Sequence, residues 1–104
     1  MTPAYAAGLF DGEGCVYVSL SRKSMCYYPV ASIGMTVKAK PILLAFKETF
    51  GGRVRMFRAA TEKWSEAWTW RTDGKEAAAF LEAVLPFLNL KTEQAKLVLK
   101  LQEI

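Results

Sequence analysis

Residues 7–14 read Ala7-Gly8-Leu9-Phe10-Asp11-Gly12-Glu13-Gly14, an apolar run that closes on two acids interleaved with two glycines. Upstream, Thr2 is a good N-cap and Pro3 suits the first helical position, so a helix is expected from Pro3 onward. Ala4, Tyr5, Ala6, Ala7, Leu9 and Phe10 make it apolar nearly all round, which predicts burial on more than one side. The small residues Ala4, Ala7 and Gly8 admit a second backbone at close range, more than the helix needs to join its own core. Those three, with Asp11, are the expected contacts to a second copy of the chain. Gly12 and Gly14 are expected to stop the helix and turn the chain, leaving Glu13 just past its end. Glycines there also free the Gly12 carbonyl to face a ligand. A carboxylate beside an exposed carbonyl is half of a Mg²⁺ site, although the spacing alone favours a plain loop carboxylate.

Beyond this segment, Cys15–Ser21 alternates. Val16, Val18 and Leu20 fall on one face, and Cys15, Tyr17, Ser19 and Ser21 on the other. Arg22 to Cys26 reads as a polar turn. A second strand is expected over residues 27–38, with Ala31, Ile33, Met35 and Val37 inward and Val30, Ser32, Gly34, Thr36 and Lys38 outward. Pro41 starts a helix carrying Ile42, Leu43, Phe46 and Phe50 on one side, and Gly51-Gly52 ends it. Two more alternating strands follow, over 53–58 and 67–71. Inward Trp68 and Trp70 turn Thr69 and Arg71 outward; the opposite parity also fits, because aromatics sit on nucleic-acid surfaces too. Asp73-Gly74-Lys75-Glu76 resembles a capping box. Ala77, Phe80, Leu81, Val84, Leu85 and Leu88 then mark an amphipathic helix that Pro86 ends or kinks. Thr92 is the expected cap of a last helix, with Ala95, Val98, Leu99 and Gln102 along one side and Leu97, Leu101 and Ile104 along another.

The 104 residues suffice for one domain spanning 1–104, and just over half are hydrophobic. So small a domain leaves much apolar surface for a partner. No apolar run approaches the ~20 residues needed to span a bilayer. The run from Pro3 to Phe10 lacks the flanks of a signal peptide. The lone Cys15 and Cys26 suggest reduced thiols in an intracellular, non-secreted protein. Histidine is absent, which excludes Ser-His-Asp and Cys-His catalysis and any histidine general base. Hydrolysis on this chain would have to use carboxylates, lysine, water and a hard metal.

Charge is uneven. Between Cys15 and Arg71 there are ten Lys/Arg against three acids, while the remainder is net acidic. A basic middle of this kind suits a phosphate-binding face. The outward positions Tyr17, Ser19, Ser21, Ser32, Thr36, Lys38, Arg53, Arg55 and Arg71, with Arg22 and Lys23 in the turn, offer groups that read base edges in a major groove. A strand of about eight residues spans roughly 26 Å, or about seven to eight base pairs. A single Glu13 is thin for phosphodiester cleavage, which uses several acidic oxygens. A two-fold dimer through the first helix would bring two copies of Glu13 together, double the basic sheet and imply a roughly palindromic target. Lys91, in the loop before the last helix, is a second candidate, placed to stabilise charge on a phosphate.

Residues 6–14 resemble the LAGLIDADG motif of homing endonucleases, with Ala6 where the family often has leucine and Glu13 in place of the second aspartate. Leu85-Pro86-Phe87-Leu88-Asn89-Leu90-Lys91-Thr92-Glu93-Gln94-Ala95 is similar to the later family pattern P-F/Y-L-x-x-K-x-x-Q-A. The resemblance implies an α+β, αββαββα fold: a curved antiparallel four-stranded sheet in the DNA major groove, with helices packed on its other face. It implies a homodimer joined by the motif helices, and cleavage of both strands across the minor groove. It further implies that Glu13 binds the divalent metal with the Gly12 carbonyl, and that Lys91 is an active-site residue. The implied metal is Mg²⁺ or Mn²⁺, with Ca²⁺ as a non-cleaving substitute. The sequence departs from the pattern at Val37-Lys38-Ala39-Lys40, where some members place a water-positioning glutamine; Lys38 would take that role or it is lost. Helices that follow the last one in longer members are expected to be absent. The reading is therefore a homodimeric, site-specific double-strand DNA endonuclease. The alternatives are a non-cleaving nucleic-acid binder, such as an RNA maturase or DNA-binding regulator, and a half that pairs with a different chain.

Overall fold

A computed structural model describes residues 1–102 of the chain. The elements are α1 (Pro3–Glu13), β1 (Gly14–Ser21), β2 (Cys26–Thr36), α2 (Lys40–Phe50), β3 (Arg53–Arg58), β4 (Ala67–Asp73), α3 (Gly74–Val84) and α4 (Thr92–Gln102), with 3-10 turns at Val37–Ala39 and Leu85–Phe87. The strands form one antiparallel sheet in the order β1-β2-β4-β3, and with the four helices make an α+β fold.

Alternation places the core. Ala31, Ile33 and Trp70 point inward and are fully buried, and Val16, Val18, Met35, Val54 and Trp68 pack around them. The helices close over this face with Phe10, Leu43, Phe46, Phe80, Leu81, Val84, Ala95 and Val98. Phe80 is the hub, with ring centroids 5.2 Å from Phe10, 4.9 Å from Phe50 and 5.0 Å from Trp70. Trp70 is held at its polar end as well, its Nε1–H donating to the Gly51 carbonyl at 2.8 Å. Gly51 and Gly52 have φ of 80° and 89°, so the α2–β3 turn uses a backbone that side chains rarely adopt. Both tryptophans thus point inward, and Thr69 and Arg71 point outward.

Several local expectations are corrected. Gly12 does not stop α1: the helix runs through Glu13, and Gly14 ends it in extended backbone, donating its N–H to the Phe10 carbonyl. The first strand residue must nevertheless be glycine, because a Cβ there would lie 2.7 Å from the Phe10 carbonyl oxygen. β2 ends at Thr36, so Val37 and Lys38 leave the sheet in a 3-10 turn and both are exposed. Val30 faces outward by register yet is fully buried, flanked by Tyr17 on one side and Asp73 on the other. The capping box does not form. Asp73 makes no cap hydrogen bond, and Glu76 Oε2 instead accepts from the Gly52 N–H at 3.2 Å. Thr92 is the first residue of α4 rather than its cap, and its hydroxyl donates to the Leu88 carbonyl at 2.9 Å. α1 is buried on one side only within the chain, through Ala6, Ala7, Phe10 and Asp11. On α4, Ala95 and Val98 are buried and Leu97 and Leu101 exposed; Ile104 lies outside the described residues.

Candidate nucleic-acid interface and acidic centre

The outward sheet face is assembled row by row. Antiparallel partners share a face, so register sets Cys15, Ser32, Arg71 and Arg53 in one row. Gly34, Thr69 and Arg55 form the next, Tyr17, Val30 and Asp73 the row on the other side, and Ser19 pairs with Tyr28 beyond it. Of the residues expected on this face, Tyr17, Ser19, Ser32, Thr36, Arg53, Arg55 and Arg71 lie together on strands. Ser21 closes β1, and its hydroxyl accepts from the Ser24 N–H at 3.4 Å. Arg22 and Lys23 are exposed in the hairpin turn beside it, and Lys38 sits off the sheet. A groove of about 270 Å³ is lined by Arg53, Arg55, Met56, Phe57, Thr69 and Arg71.

Two residues of this region were not singled out from the sequence. Arg58 donates from Nε and Nη2 to the Ser65 carbonyl at 3.2 and 3.1 Å, and its guanidinium lies 5.2 Å from the Trp64 ring. Asp73 carries the sole carboxylate on the four strands and pairs with Arg53 Nη2 at 3.2 Å, with Arg71 Nε at 3.7 Å. Carrying the 67–71 alternation two residues further would have found Asp73, since 69, 71 and 73 share a face.

The acidic centre lies at the C-terminal end of α1. Glu13 is exposed there, and the carbonyls of the last turn have no intrahelical partner. One of them, Asp11 O, accepts from Lys91 Nζ at 2.7 Å, so the Lys91 ammonium is bonded to α1 two residues before Glu13. The Asp11 carboxylate does the positioning. Its Oδ2 accepts from the Asn89 N–H at 2.7 Å, and its Oδ1 from the Leu90 and Lys91 N–H groups at 3.1 and 3.0 Å. Burial pushes the Asp11 pKa upward, but the three N–H donors and the Lys91 charge outweigh it and hold it below the ordinary aspartate value. This corrects the expected partner contacts: Asp11 is consumed within the chain, and Ala7 is fully buried in its core. Ala4 and Gly8 remain exposed, with Gly12 continuing their line.

The residues present suit a hard divalent cation in part. Glu13 and the Gly12 carbonyl could supply oxygen ligands, and the negative end of the α1 dipole favours a cation there. Among the described residues no group of three or more His, Cys, Asp or Glu stands together as a metal cluster.

Neither a family model nor a curated protein sequence matches the chain. Solved structures do. The homing endonuclease I-CvuI, in complex with its target in the presence of Ca, is 28% identical with a TM-score of 0.79, covering 97% of this chain. The chain has the LAGLIDADG homing endonuclease fold. The homing endonuclease I-TnaI, at 23% identity and a TM-score of 0.74, has the same LAGLIDADG fold over 99% of the chain. So does the LAGLIDADG meganuclease I-AabMI bound to uncleaved DNA, at 18% and 0.73. This chain spans 65% of the I-CvuI chain, 72% of I-TnaI and 37% of I-AabMI. No helix among its described residues is long and apolar enough to cross a membrane.

Proposed function

We propose that the chain is one subunit of a homodimeric, divalent-metal-dependent, site-specific double-strand DNA endonuclease. The observation that supports this reading is the bond from Lys91 Nζ to the Asp11 carbonyl, which holds an ammonium at the same end of α1 as the exposed Glu13 carboxylate, where β1 of the sheet begins. A pure DNA binder gains nothing from a carboxylate near phosphates, because like charges weaken binding unless a cation offsets them. Glu13 and the Gly12 carbonyl hold Mg²⁺ or Mn²⁺ in this reading, and the bound metal supplies Lewis-acid stabilisation and an activated water. Lys91 offsets charge developing on the phosphate. The sheet reads the major groove through Tyr17, Ser19, Ser32, Thr36, Arg53, Arg55 and Arg71, with Ser21, Arg22, Lys23 and Lys38 at its margins.

The second copy docks on the exposed line Ala4, Gly8 and Gly12. A Cβ built at Gly8 or Gly12 meets nothing within 4 Å, so a neighbouring backbone has room to approach. Two-fold pairing there joins the two Glu13 residues and calls for a roughly palindromic site.

The deciding experiment incubates purified protein with a randomised duplex library in Mg²⁺ and, separately, in Ca²⁺. Cutting in Mg²⁺ with binding alone in Ca²⁺ is expected. Glu13→Gln should lower cutting by at least about a thousandfold while leaving DNA binding and the dimer intact. Unchanged cutting by that variant would refute the Glu13 assignment. Binding without cutting in either metal would instead favour a non-cleaving binder on the same fold, which Lys38-Ala39-Lys40 in place of a water-positioning glutamine makes the second reading.

A further inference from the structure

Asp73 is the anomaly of the basic face. Its side chain is 38% exposed on a surface otherwise supplied with arginines, where it should repel phosphates. As the N-cap residue of α3 it could bond the helix N-terminus, yet it makes no such bond. One oxygen, Oδ2, faces both Arg53 Nη2 at 3.2 Å and Arg71 Nε at 3.7 Å. Those arginines are direct register partners on neighbouring strands, so without an anion between them they would repel. The Arg71 Nε atom is buried and has no other partner. Both arginines line the outward groove beside Arg55, and both also line, with Asp73, Gly52, Thr72 and Glu76, a smaller hollow of about 60 Å³.

From this arrangement we infer that Asp73 is a specificity-determining positioning residue that holds Arg53 and Arg71 as one oriented guanidinium pair for the O6/N7 edge of guanine. The inference rests on the DNA-reading face proposed above and deepens it. A free arginine swings to the nearest phosphate, a contact that carries no sequence information. An arginine tethered at one edge by a carboxylate keeps its remaining donors aimed in one direction, and bidentate donors discriminate guanine from other bases. The carboxylate also offsets part of the arginines' charge, which weakens binding to arbitrary DNA. Orientation and charge offset both raise the ratio of specific to non-specific affinity rather than affinity itself.

The test compares the full chain with Asp73→Asn in Ca²⁺, where cleavage is suppressed. The target comes from the library selection, each of its base pairs is then substituted in turn, and an unrelated duplex is titrated over several salt concentrations. Asparagine is also a good N-cap, so α3 keeps its start. Asp73→Asn is expected to bind the unrelated duplex more tightly, with a log–log salt slope steeper by about one. It should lose about tenfold discrimination at one or two guanine positions per half-site. Asp73→Glu should retain most of that discrimination, and in an Arg71→Ala background Asp73→Asn should remove little more. Equal loss of specific and non-specific binding, or discrimination kept within about twofold, overturns the inference while the DNA-binding reading stands. Absence of duplex binding by the unsubstituted chain at every salt sinks both. Should Asp73→Asn melt below the assay temperature, Asp73→Ser, another uncharged N-cap, reads the same quantities.

Discussion

Asp11 and Glu13 are two positions apart, and a helix turns about 200° over that distance. The two acids therefore face opposite ways, one into the chain and one out to solvent, and they do unrelated work. Asp11 ties the loop 89–91 to α1 through three backbone N–H groups. Asp11→Asn removes the charge and leaves one amide oxygen where two carboxylate oxygens accepted. We expect a loss of about 2 kcal/mol, near 10 °C in Tm, with a larger fall in any Lys91-dependent activity. The pH dependence has a definite sign. Because the native pKa of Asp11 is depressed, its contribution is complete above the ordinary aspartate value near pH 4. It disappears as pH falls through the lower native value. Denaturation curves of the two proteins should thus stay fully separated above about pH 4 and draw together below it, as pH falls through the lower native value.

The glycines of α1 divide at the scale of the element. Gly14 is packed against Phe10, while Gly8 and Gly12 stand in open space. Gly14→Ala should cost about 1–3 kcal/mol of stability. Gly12→Ala should stabilise the separated subunit by about 0.5–1 kcal/mol through helix propensity while weakening self-association. Thermal melts combined with sedimentation should return these opposite signs. A Gly12→Ala variant that associates as well as the unsubstituted chain would remove Gly12 from the contact line. The contrast marks what a sequence can disclose. Strict alternation in Cys15–Ser21 and the helical period of Ala77–Leu88 record one-sided burial, so those elements were legible. The bounds of α1 were not, because glycine is a local stop signal and tertiary docking of Asp11 outweighs it. Asp73 misled for a related reason: a carboxylate ahead of glycine resembles a cap, but the competing partners, Arg53 and Arg71, come from elsewhere in the sheet. Glu13, Gly12 and Lys91 were legible as motif residues; that Lys91 is seated on α1 by its neighbour Asp11 was not.

For the molecule as a whole, charge is sorted by surface. Arg53, Arg55 and Arg71 line one groove on the outward face, while the apolar side is covered by four helices. Binding through such a face should release counterions. With about six phosphates contacted per dimer, log Kd should change with log salt at a slope near five. Titration at several ionic strengths measures it. A slope near zero would mean that the basic face does not engage the backbone.

The bonds from Asp11 to the loop 89–91 join residues 78 to 80 positions apart. Every strand lies between them in sequence. During synthesis the whole sheet can therefore pair before Asp11 meets its partners, and closing so long a loop is slow relative to forming hairpins. Until residues 89–91 leave the ribosome, Lys91 is absent from the end of α1. A nascent chain can thus acquire its basic surface, and a hold on nucleic acid, before it possesses the ammonium–carboxylate corner. If the chain cuts DNA as proposed, order of emergence alone would delay cutting until residues 89–91 have been made.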